Sequence, residues 1–307
     1  MPLPLVLQGR LRVPAIAAPM FLVSGPDLVV ETCKGGIVGT FPALNARTSE
    51  GYADWLDQIA ERLAASPGAA PFGVNLIVHA TNPRLEQDLK ITADRKVPLV
   101  ITSLGAVSDL VAAVHAYGGI VLHDVINLRH AEKAMAAGVD GLVAVAAGAG
   151  GHAGTINPFA LAAEIRRIFD GTIALAGSIG SGAQIAAAQL MGADLAYLGT
   201  RFIATRESLA PDDYKQMIVR ARAADILYTP AISGVHANFL KPSLVAAGLD
   251  PENLPPHGKL DMSSERRAWK AIWSAGHGVG TIDDVPSTAE LCRRLAAEYD
   301  AARAGLR

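Results

Sequence analysis

The run DGLVAVAAGAGGHAGTINP, residues 140–158, passes from an apolar stretch into a glycine loop that holds one histidine. Leu142, Val143 and Val145 have the bulk and β-branching of a short buried strand. Four glycines among residues 148–154 remove the side chains that would keep a flat ligand away from the backbone. His152 is the one side chain of that loop able to move a proton near neutral pH. Asn157-Pro158 then opens a helical pattern, FALAAEIRRIF, so the loop joins a strand end to a helix start. A histidine in such a loop also serves as an ordinary turn residue, and the choice between the two readings rests on the remainder of the chain.

Outward from this stretch, strand-like and helical runs alternate. PAIAAP (14–19), GIVGT (36–40), FGVNLIV (72–78), PLVIT (98–102) and GIVLH (119–123) precede the Asp140 strand; TIALA (172–176) and DLAYL (194–198) follow it. Helical patterns fill the intervals, among them 51–65, 83–94, 107–117, 127–137 and 181–191. The strands are continuous apolar runs, as burial on both faces of a parallel sheet requires. Eight such runs with helical crossovers predict an α/β protein built on a (β/α)8 TIM barrel. After Thr200 the rhythm stops: LAPDDYKQ and DPENLPPHGK are richer in charge and proline. The expected organisation is a barrel over 1–205 and 268–307, with a smaller, mostly helical inserted domain capping it over 206–267.

Composition narrows the function. Half of the 307 residues are hydrophobic but only 5% are aromatic, so a core of Ala, Val, Leu and Ile is expected. A net charge of -2 from well-mixed acids and bases offers no patch for nucleic acid or an anionic membrane. Cys33 and Cys292 fit neither a disulfide framework nor a zinc site, and no His, Cys, Asp and Glu cluster has metal-ligand spacing. With no run of about 18 apolar residues and no leader pattern, a cytoplasmic protein acting on a small molecule is expected. A homodimer is compatible with this reading.

In a barrel, chemistry collects at the C-terminal strand ends. Those ends supply Met20, Asn75, Ser103, His123 with Asp124, the His152 loop, Gly177-Ser178-Ile179-Gly180 and Gly199-Thr200-Arg201. Glycine loops after the last two strands suit a phosphate held by backbone N–H groups. Gly177, Gly180 and Gly182 are not spaced as a dinucleotide fingerprint.

In combination these segments carry a resemblance. Ala18-Pro19-Met20, Gly73-Val74-Asn75, AGGHAG (149–154), Ala176-Gly177-Ser178-Ile179 and Gly199-Thr200-Arg201-Phe202 resemble the nitronate monooxygenases, formerly called 2-nitropropane dioxygenases, over about residues 12–205 and again at Ser274-Ala275-Gly276. Flavin-dependent enoyl-acyl carrier protein reductases share the AGGHxG and GTRF motifs. The resemblance implies a barrel binding FMN without covalent attachment and a flavin oxidoreductase acting on alkyl nitronates with O2, His152 being the general base. Ala18, Pro19 and Met20 would lie near the flavin, Asn75 would hydrogen-bond it, and Asp124 would stand in the cofactor wall. Ala149, Gly150 and Gly151 would let the backbone approach the ring, while Gly177, Ser178, Gly180, Gly199 and Thr200 would hold the phosphate. Asp124 stands where the family often has lysine; Val145, Gly148 and His277 are further departures, and they bear on substrate choice. An NAD(P)H-oxidising flavin reductase, acting on a quinone or an enoyl thioester, is the alternative, and a binding module without turnover is the third reading.

Overall fold

Val38–Pro42, Gly141–Val145 and Thr172–Ala176 are buried from end to end, which happens when a sheet is covered on both faces. In the computed structural model, which describes residues 3–105, 107–254 and 271–305, such strands close on themselves. They are β1 (Ala15–Ala17), β2 (Val38–Pro42), β3 (Phe72–Ile77), β4 (Leu99–Ser103), β5 (Ile120–Val125) and β6 (Gly141–Val145). After β7 (Gly151–His152), which stays outside the barrel, β8 (Thr172–Ala176) and β9 (Leu195–Leu198) complete it. The eight barrel strands are parallel, and β9 returns to β1 with Tyr197 opposite Ile16. The expected (β/α)8 barrel is the observed fold.

Alternation along the strands divides the core into two layers. Val100, Val121, Leu142 and Ala144 pack outward on the helices, whereas Ile101, Leu122 and Val143 share an inner cluster. Fully buried Leu7 joins that inner cluster with Leu99 and Leu195, so the N-terminal segment plugs the end of the barrel where the strands begin. Burying a leucine contributes roughly 1.5–3 kcal/mol.

Helix starts follow the expected capping residues. Asn157 accepts the Phe159 N–H at 2.9 Å ahead of the helix Pro158–Arg166, and Asn127 accepts the His130 N–H at 2.9 Å ahead of Leu128–Ala136. Ser181 and Gln184 form a capping box at Gly182–Leu190.

The segment after the barrel contains the helices Asp212–Arg220 and Lys241–Ala246 and, between them, an antiparallel hairpin of β10 (Ile226–Thr229) and β11 (Ala237–Leu240). A mostly helical expectation omitted this hairpin, because ILYT and ANFL are four-residue runs too short to show a period. Residues 255–267 of the expected insertion, and Trp269, lie outside the described residues. β11 pairs onward with β7, placing Ala237 opposite His152 and Asn238 opposite Gly151. Among the described residues no helix is long and apolar enough to cross a membrane.

Candidate active site

A cavity of about 1130 Å³ opens at the C-terminal strand ends. Ala18, Pro19 and Met20 after β1, Asn75 in β3, Asp124 in β5 and Ala149 to His152 all line it, together with Gly177 and Ser178 after β8 and Gly199 and Thr200 after β9. Gly180, grouped with these in the sequence, is not part of the wall. Its N–H donates to Gln184 Oε1 at 2.7 Å, and the Gly182 N–H behind it donates to Glu298 Oε2 at 2.7 Å. That helix start is therefore satisfied from within the protein and faces a carboxylate, which disfavours an anion there. The Gly177-Ser178 and Gly199-Thr200 turns, by contrast, do line the cavity, and Ser178 adopts φ 58 without being glycine.

The loop that carries His152 is packed backbone against backbone. Gly148 turns the chain with φ 83, and its carbonyl accepts the His277 N–H at 2.9 Å. A β-carbon on Gly150 would stand 2.9 Å from the Gly276 nitrogen, so the missing side chain admits the segment 274–276, where the sequence reading expected a ligand. Ser274 Oγ accepts the Gly151 N–H at 2.6 Å and donates to the Asn238 carbonyl. The Asn238 amide donates to the Ala149 carbonyl at 2.7 Å, and the Tyr228 hydroxyl to that of Ala153 at 2.9 Å. His152 is thus fixed from both sides.

A polar chain runs below it. The Asn75 amide donates to Ser103 Oγ at 2.8 Å and to the Ile101 carbonyl at 3.2 Å; Ser103 in turn donates to Asp124 Oδ2 at 2.5 Å. With both amide hydrogens committed, Asn75 has its carbonyl oxygen left for a donor in the cavity. Asp124 Oδ1 is buried and has no hydrogen-bond partner among the described residues. Burial pushes the Asp124 carboxyl up to about 6, against the opposing pull of the Ser103 hydroxyl and of His152. Tyr197, also in the wall, is raised well above the ordinary phenol value by burial and by the charge of Asp124.

The other histidines separate by place. His123 shares a 2.7 Å hydrogen bond with Thr102 Oγ1, and burial pushes it down to about 4, so it is a weak base. His236 lines the cavity stacked on Tyr228 with centroids 5.1 Å apart, whereas His277 is outside the wall and His115 pairs with Asp140 at 2.8 Å. Trp273 and Tyr214, stacked at 4.9 Å, close another side. Sequence reasoning missed the link between Ser103 and Asp124. Its signal was that each residue directly follows one member of a buried pair, Thr102 and His123, on adjacent strands.

A barrel that gathers glycine turns, a histidine and a carboxylate around one mouth is of the enzyme class whose sites lie at strand ends. The chain belongs to the nitronate monooxygenase family, whose model matches residues 9–298, and is a flavin oxidoreductase. It is 29% identical to a nitronate monooxygenase of Paraburkholderia phytofirmans over 79% of this chain and 77% of that one. With a nitronate monooxygenase of Pseudomonas aeruginosa it shares 28% identity, covering 93% and 95% of the two chains. The crystal structure of a nitroalkane oxidase from Streptomyces ansochromogenes superposes with a TM-score of 0.84 at 26% identity, over 98% of this chain and all of the other.

Proposed function

We propose that the cavity holds FMN and that the enzyme oxidises alkyl nitronates and their parent nitroalkanes with O2, His152 taking the substrate proton. The observation that carries this reading is that His152 and the turns after β8 and β9 line one cavity. The wall suits the cofactor. The atoms nearest to a β-carbon on Gly199 would be those of the Ala18 and Met20 side chains, at the ordinary contact distances of 3.7–3.8 Å, so this turn is not crowded by backbone. Thr200 Oγ1 accepts the Gly276 N–H at 2.8 Å, which leaves its own hydrogen for a phosphate oxygen. Two turns at adjacent strand ends suit one phosphate, which favours FMN over a dinucleotide. Met20, Asn75, Ala149 and Gly151 would hold the ring portion.

FMN, when bound, accepts electrons from the substrate and passes them to oxygen. The residues of the chain position the substrate and manage its proton. His152, fixed by the β7–β11 pairing, accepts the proton of a neutral nitroalkane; His123, already pushed to about 4, does not compete.

The test begins with denaturing release and chromatography, which should give FMN; FAD or a colourless protein overturns the assignment. Anaerobic mixing with propionate 3-nitronate should then bleach the flavin. Bleaching by NADH or NADPH alone would instead assign the NAD(P)H-dependent reductase reading.

A further inference from the structure

We infer that Asp124 sets the charge preference of the cavity: held beside His152 by Ser103 and Asn75, it favours a substrate arriving as a neutral carbon acid over one arriving as a preformed anion. This deepens the proposed function and rests on its reading of His152 as the base. The geometry is that of a supported carboxylate. One oxygen is fixed by Ser103 at 2.5 Å, Ser103 is fixed by Asn75 at 2.8 Å, and the other oxygen has no hydrogen-bond partner among the described residues. A buried acceptor left without a donor is costly unless it serves something in the cavity.

When a neutral nitroalkane reacts, its α C–H bond breaks, the proton goes to the imidazole and the electron pair stays on the substrate as the nitronate. The imidazolium so formed meets the Asp124 carboxylate in a poorly hydrated site, and the pair stabilises the transfer. A nitronate arriving as an anion meets the same carboxylate with like charge, which disfavours its binding. The groups facing Asp124 are His152 from β7, Ser103 from β4 and the Tyr197 phenol from β9. His123 precedes it on β5 but is tied to Thr102, and His130, Lys133 and His236 line the same cavity.

The probe is nitrate, a flat anion whose charge is constant over the working range, titrated calorimetrically at fixed ionic strength into the wild-type protein and Asp124→Asn. The two proteins differ only at residue 124, so the ratio of their nitrate affinities reports the effect of the charge at that position. With its carboxyl raised to about 6, the ratio should be near one at pH 5 and should reach about tenfold in favour of Asp124→Asn at pH 8. In Ser103→Ala the carboxyl loses a stabilising donor, so nitrate binding should persist to higher pH than in the wild type. A ratio flat at one, or no nitrate binding by either protein, overturns the inference. In turnover, Asp124→Asn should raise kcat/KM for nitronate relative to neutral nitroalkane by about tenfold; an unchanged ratio also overturns it. If neither compound turns over while the nitrate ratio rises, the charge preference stands and the nitronate reading fails.

Discussion

The side-chain amide of Asn238 donates to the backbone carbonyl of Ala149 at 2.7 Å, joining a hairpin outside the barrel to the loop that presents His152. Asn238 is only 2% exposed, so water cannot replace this bond. With the Ser274 bridge to Gly151, it makes the position of the His152 loop depend on residues far along the chain.

Asn238→Ala should therefore affect catalysis more than folding. Leaving the Ala149 carbonyl without its donor costs about 1–3 kcal/mol. The barrel ladder does not involve this bond and should persist. A displaced His152 should lower kcat/KM on a neutral nitroalkane by about tenfold to a hundredfold. Steady-state kinetics beside thermal melts decide it: a lowered Tm with full activity would make the hairpin a support of the fold alone.

The contact between Gly276 and Gly148 gives a sharper contrast. A β-carbon on Gly276 would stand 2.4 Å from the Gly148 oxygen and 2.8 Å from the Gly150 nitrogen, backbone atoms that cannot swing aside. Gly276→Ala should destabilise by about 1–3 kcal/mol and weaken flavin retention. Gly51, inside the helix Ser49–Ala64, would meet only Thr48 Oγ1 at 3.5 Å, so Gly51→Ala should gain about 0.5–1 kcal/mol and keep its flavin. Equal behaviour of the two variants in urea unfolding and flavin content would contradict this account of the loop packing.

The barrel and those wall residues that the sequence points to, such as Ala18, Asn75, Asp124 and Thr200, were legible because each lies on, or directly after, a strand that announces itself by a continuous apolar run. Gly180 was misplaced for a local reason: Gln184 and Glu298 take the N–H groups that a phosphate would need, and nothing in a glycine spacing tells which acceptor arrives first. The hairpin at Ile226–Leu240 was invisible because its pairing with Gly151 and His152 is long-range and its strands are short. Gly150 lines the cavity with its backbone, but the direction of its missing side chain is taken by Gly276, a contact between segments more than a hundred residues apart that the sequence does not announce.

Neighbouring residues on β5 should titrate with opposite effects on stability. Burial pushes His123 from 6.5 down to about 4, so between those values the unfolded chain binds a proton that the folded chain refuses. Stability from this residue falls as pH drops through that window. Asp124 is raised from 3.8 to about 6, so there the folded chain binds the proton and stability falls as pH rises. Each effect is on the order of 3 kcal/mol, and between pH 4 and 6 they oppose each other. His123→Gln removes one of them. Its urea midpoint should decline as pH rises from 4 to 6, where the wild type stays nearly level; a variant with the wild-type slope would mean that His123 is protonated in the fold.

The role assigned to His152 separates from mere positioning by comparing two forms of one substrate. A general base contributes about 10² to 10⁴-fold, and the contribution applies only when there is a proton to remove. His152→Asn keeps size and some hydrogen-bonding capacity while removing the basic site, and the β7–β11 backbone pairing that places residue 152 is unaffected. The variant should retain flavin, lose most activity on the neutral nitroalkane and lose much less on the nitronate. Equal losses on the two forms would make His152 a group that orients the substrate. An unchanged rate on the neutral form would move the base to another residue, and His236, among the described residues the remaining histidine of the wall outside the β5 segment and its following helix, would be the next to replace.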